Sequence, residues 1–98
     1  MQKNELEFRI LVLLSDLAKH NLFYRGPLNT LCEWVEIEPD EVAMEAAIMH
    51  LKEQGYVFCE KEDSDYFVSI RKKGLKDKQV IETCKKGVYN FGKWNHWI

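Results

Sequence analysis

The sequence predicts a single α+β domain, mainly α, and three observations predict it. Met44, Ala47, Ile48 and Leu51 recur at the three-and-four spacing of one helix face. Gly55 follows Gln54, where that helix needs a left-handed cap. Beyond it the spacing changes. Tyr56 to Cys59 and Tyr66 to Ile70 are apolar runs rich in strand formers, and the polar EKEDSD lies between them. A helix therefore feeds a two-stranded hairpin whose turn falls within Glu60 to Asp65.

The elements before it follow in order. Asn4 to His20 forms the first helix, with Asn4 as cap and Glu5 and Glu7 at the positive end of its dipole. Leu6, Ile10, Leu13, Leu14 and Leu17 form one stripe, and Phe8, Leu11, Val12 and Ala18 widen it. A helix this apolar around its girth belongs at the centre of a small core. Asn21 suits a left-handed exit. Phe23 and Tyr24 supply a short strand that pairs with the hairpin, and Pro27 stands near the start of the next helix. Leu28 to Val35 is a short second helix. Pro39 breaks the chain after it, and Asp40 starts the third. Lys78 to Gly87 is a final helix, with Val80, Ile81 and Cys84 apolar and Gly87 as its stop.

Composition bounds the chemistry. A chain of 98 residues is one domain, 1–98, with a core over 4–74 and a C-terminal helix and tail over 75–98. The longest apolar run, Ile10 to Leu14, is far short of the ~18 residues of a membrane span. Glu5 and Glu7 precede it and no small-residue cleavage site follows, so a signal peptide is not expected. The expectation is a cytoplasmic protein with no membrane partner. Cys32, Cys59 and Cys84 are odd in number and widely spaced, which predicts reduced thiols rather than disulfides or a zinc site. No cofactor and no metal is expected.

The span Asn4 to Gly74 resembles a winged helix-turn-helix domain of the general MarR and PadR type. LEFRILVLL, PLNTLCEWVEI and AAIMHLKEQGYV carry the resemblance. So does FVSIRKKGLKD, where a wing strand ends in a basic-Gly step and starts a last helix. The implied architecture is three helices, a two-stranded wing, a C-terminal helix and an aromatic tail. The implied activity is transcription regulation through double-stranded DNA, with the third helix in the major groove and the wing on the backbone.

The residues themselves pull in two directions. Residues 1–70 carry six Lys/Arg against fourteen Asp/Glu, or −8, and residues 71–98 carry eight against two, or +6. Such asymmetry fits a polyanion, an acidic partner or a tail folded on its own body. Arg71, Lys72, Lys73, Lys76, Lys85 and Lys86 are the candidates for the DNA backbone. The outer face of the third helix, Val42, Glu45, Ala46, Met49, Lys52 and Glu53, is the contact face for DNA or for a protein. Base reading favours Arg, Lys, Asn and Gln, whereas several carboxylates repel a duplex. An apolar stripe with acidic flanks suits a protein contact instead. Tyr89, Phe91, Trp94 and Trp97 crowd the tail, which must dock on its own core, in a homodimer or on a base. Ser15, Ser64 and Ser69 lack the context of an activated nucleophile, the three His are scattered, and no Gly-rich phosphate loop is present. An enzyme is not expected. The two functions left are a DNA-binding regulator and a protein-interaction module that uses the third helix.

Overall fold

The computed structural model describes residues 4–35 and 39–87. The elements are α1 (Glu5–Lys19), β1 (Tyr24–Gly26), α2 (Leu28–Trp34), α3 (Glu41–Glu53), β2 (Val57–Glu62), β3 (Asp65–Ile70), α4 (Lys72–Leu75) and α5 (Lys78–Lys86). The domain is mainly helical α+β, with one antiparallel sheet of order β1-β3-β2. No helix of the described residues is long and apolar enough to cross a membrane. The tail residues Tyr89, Phe91, Trp94 and Trp97 lie outside the described residues.

α1 is the hub that its apolar girth predicts. Ile10, Leu11, Leu13 and Leu17 are fully buried, and the helix packs on α3, α5 and β3. Its start is tied reciprocally: the Glu7 N–H donates to Asn4 Oδ1 at 2.8 Å and Asn4 Nδ2 donates to Glu7 Oε2 at 3.3 Å. Asn21 takes φ 58 at its exit. Tyr24 is buried, donates its hydroxyl to the Pro27 carbonyl and meets the Trp34 ring edge-on at 5.1 Å. Arg9 Nη1 donates to the Val35 carbonyl at 3.1 Å, so the end of α2 is tied to α1.

Gly55 sits at φ +80 and turns the chain from α3 into β2. The hairpin turn is shorter than the polar run suggests. β2 continues through Glu62, and Asp63 takes φ 55. The stretch after β3 also departs from the expectation of one last helix. A separate four-residue turn, α4, comes first, and α5 follows it. The cause is local. A Cβ on Gly74 would come within 2.7 Å of Ile70 Cγ1 and 3.1 Å of the Tyr56 carbonyl oxygen, so the chain folds back tightly against β3 there. Asp77 then caps α5, accepting from the Gln79 and Val80 N–H groups.

The sheet has two unlike faces. Tyr24, Val57, Cys59, Tyr66 and Val68 are buried on the inner one. Arg25, Phe58, Glu60, Phe67 and Ser69 alternate onto the other by the period of two.

Candidate functional site

The outer side of α3 and the inner side of the protruding hairpin form one open cleft. Its two adjoining depressions have volumes of about 520 and 580 Å3. The first lies between the start of α2 (Pro27, Leu28, Asn29), the start of α3 (Glu41, Val42, Glu45) and the hairpin (Lys61, Ser64, Tyr66). The second continues along Met49, Lys52, Cys59, Glu60 and Glu62. Glu45, Lys61 and Tyr66 line both.

Local sequence places each of these groups. Asp40 caps α3 by accepting from the Ala43 N–H at 2.7 Å, which fixes Glu41, Val42 and Glu45 on its first turns. Alternation along β3 turns Tyr66 inward, beyond the part of the sheet that α1 covers. Its hydroxyl donates to Glu45 Oε2 at 2.6 Å, and Lys61 Nζ lies 5.3 Å from its ring centroid. Tyr66 therefore links α3 to the hairpin across the floor of the cleft. The hydrogen bond to Glu45, with burial and the nearby carboxylates adding to it, pushes the Tyr66 hydroxyl up to about 12. Burial pushes Tyr24 up to about 12 as well.

These shifts carry a pH prediction. A tyrosine whose folded pKa lies above its unfolded value contributes stability that is fully present below pH ~10 and is lost as the pH rises through ~12. Absorbance titration at 295 nm should find these two hydroxyls ionising only near 12, with stability falling between pH 10 and 12. Tyr66→Phe should flatten part of that fall.

Most of the outer-face residues stand where helical periodicity puts them. Val42 is 81% exposed, and Glu45, Ala46, Lys52 and Glu53 are exposed. Met49 differs. It is half-buried and packs against the core, because the hairpin closes over that turn of α3. His50 reaches Glu7 on α1, with Nδ1 at 2.9 and 3.0 Å from the two carboxylate oxygens.

The basic candidates sit elsewhere. Arg71, Lys72, Lys73 and Lys76 flank or form α4, and Lys85 and Lys86 end α5. All six are exposed. Lys73 is engaged: Nζ donates to the Gln54 carbonyl at 2.7 Å and lies 4.5 Å from the Tyr56 ring centroid. It holds α4 on the negative end of α3. The lining of the cleft includes Glu41, Glu45, Glu60 and Glu62 with Lys52 and Lys61, so its balance is acidic.

Tyr66, Lys61 and the start of α2 are absent from the contact face that the sequence predicts. The alternation of DYFVSI could have singled out Tyr66; the approach of Pro27 to Glu41 had no local signal. Among the described residues no group of three or more His, Cys, Asp or Glu side chains is placed to hold a metal ion. Cys32 and Cys59 are buried, and burial raises both thiols.

No protein-family model matches the chain. A search of curated proteins finds no match. Among solved structures, the chain is similar to AF1382 from Archaeoglobus fulgidus, known from a high-resolution crystal structure. The TM-score is 0.63 at 17% identity, over 89% of this chain and 91% of that one. At this identity the likeness is one of fold.

Proposed function

We propose that the chain is a winged-helix domain whose cleft between α3 and the hairpin docks a protein segment carrying basic residues around an apolar anchor. The element order supports the architecture. The long α1, the strand β1 and the short α2 precede α3, Gly55 turns α3 into a hairpin, and β1 joins that hairpin as a third strand. The observation that carries the function is Val42, 81% exposed in a depression whose charged lining is Glu41, Glu45 and Lys61, with Glu60 and Glu62 lining the depression that adjoins it. An exposed apolar side chain beside two carboxylates, in a cleft of acidic balance, matches an apolar anchor with Lys or Arg flanks. The same carboxylates oppose a DNA backbone at the start of α3 and at the hairpin tip, where a winged helix would meet it.

Selection of random displayed peptides on the immobilised domain should enrich sequences with Lys or Arg on either side of Leu, Ile or Phe. The enriched peptides should bind at least about tenfold more weakly to the Val42→Asp and Glu45→Lys variants, an interface hot-spot effect. Val42 is the better probe than Met49, whose burial confounds folding with binding. Selection without such enrichment would remove this reading.

Duplex DNA remains a second reading, favoured by one observation: Arg71, Lys72, Lys76, Lys85 and Lys86 are exposed on α4, α5 and their flanks. In that case low-salt titration gives affinity with a log–log slope of about −0.9 per phosphate neutralised. Lys72→Ala with Lys76→Ala weakens it on all sequences alike, because phosphate contacts carry no sequence information.

A further inference from the structure

The outer face of the sheet is an aromatic patch that the α3 cleft does not use. Phe23 and Phe58 are 48% and 45% exposed. The Phe23 and Phe67 rings stack at 6.4 Å between centroids, and the Arg25 guanidinium lies 5.3 Å from the Phe67 centroid. The strand register arranges these groups in rows across the sheet. One row reads Arg25, Phe67, Glu60. The next has Ser69 opposite Phe58, with Phe23 just before β1 on the same side of that strand as Arg25. A cation on one edge strand, a phenylalanine in the middle and a carboxylate on the other edge make a self-complementary pattern.

We propose that this face pairs with the same face of a second copy. A twofold axis parallel to β3, midway between two apposed sheets, exchanges the β1 side of one copy with the β2 side of the other. It sets Phe67 against Phe67, Arg25 against Glu60 twice, and Phe23 towards Phe58. Face-to-face sheets pack about 10 Å apart, a distance that interdigitated phenylalanines fill. A twofold interface requires this match of a patch to itself. Asp65 lies one step further toward the hairpin turn and would face its own image, so the contact centres on the Phe23 and Phe58 end. The patch offers three phenylalanines and one charge pair per copy, fewer than the roughly 20–30 residues a side of a stable complex, so the pair is weak, with a dissociation constant on the order of 0.1–1 mM. The α3 cleft lies on the other side of the sheet, and Glu60 on the β2 edge is shared between its rim and the pair.

Sedimentation and NMR dilution of the full chain test this. Wild type should show self-association as concentration rises, and Phe67→Asp should weaken it about tenfold or more. Arg25→Glu and Glu60→Arg should each weaken it, since each places like charges opposite one another. Mixing those two variants should restore association between them, because each then meets its opposite. That mixture decides the matter even if Phe67→Asp fails to fold. A wild type that shows no dimer at about 1 mM, the upper end of the expected dissociation constant, overturns the proposal. So does a mixture that associates no better than its components. A dimer unchanged by all three substitutions and lost on removal of residues 88–98 assigns the contact to the tail and likewise overturns it.

Discussion

Trp34→Ala should lower stability by about 3–5 kcal/mol, in the range of deleting a buried Trp or Phe from a core. Trp34 is 4% exposed, and its ring supports the fully buried Tyr24 edge-on at 5.1 Å. Deleting it empties the junction of α2, β1 and the inner sheet. Tyr24 then loses its aromatic neighbour while its hydroxyl stays tied to the Pro27 carbonyl. For a domain of this size each kcal/mol moves the melting temperature by about 4–8 °C, so thermal denaturation should show a drop of more than 10 °C. Trp34→Phe should recover most of it. A drop of only a few degrees for Trp34→Ala would mean that α2 is not an integral part of the core.

The second large effect concerns Glu7, a carboxylate in the core helix that is almost fully buried. Its partners are His50 Nδ1 and the Asn4 amide. A carboxylate only accepts, so the His50 Nδ1–H donates and the tautomer is fixed. His50→Ala removes that donor and should cost roughly 1–3 kcal/mol, the penalty of a buried polar group left short of a partner. Replacing both residues by Leu should cost much less than Glu7→Leu and His50→Leu summed, because neither polar partner is left stranded. Chemical denaturation of the three variants checks the cycle. Additive losses would show that the pair is not coupled.

How far the fold was legible follows from these two cases. Helix faces, caps and the hairpin were legible because each is a local rule: period, capping residue, left-handed Gly. Asn4, Asp40, Gly55 and Gly87 all stand at the ends that such rules predict. The contact of Glu7 with His50 was not legible, since 43 residues separate them and no local rule joins them. α4 escaped notice because its four residues are too few to show a period. The candidate site was legible in part. Periodicity placed Val42, Glu45 and Ala46 on the outer face of α3. Met49 lines the cleft on that face but is half-covered, because only the position of the hairpin decides how much of that turn is exposed. Tyr66 was missed for the same reason: its hydrogen bond to Glu45 depends on how the sheet leans on α3.

The packing of α5 on α1 has a consequence for synthesis. Val80 is buried and Cys84 Sγ lies 3.8 Å from the Val12 carbonyl oxygen, so a late helix covers the side of an early one. A nascent chain that ends before Val80 leaves this flank of its most apolar helix open to water. Apolar surface left open in this way is prone to association until it is covered. Completion of the domain therefore waits on residues near its end, although the hairpin and its helices are all in hand earlier.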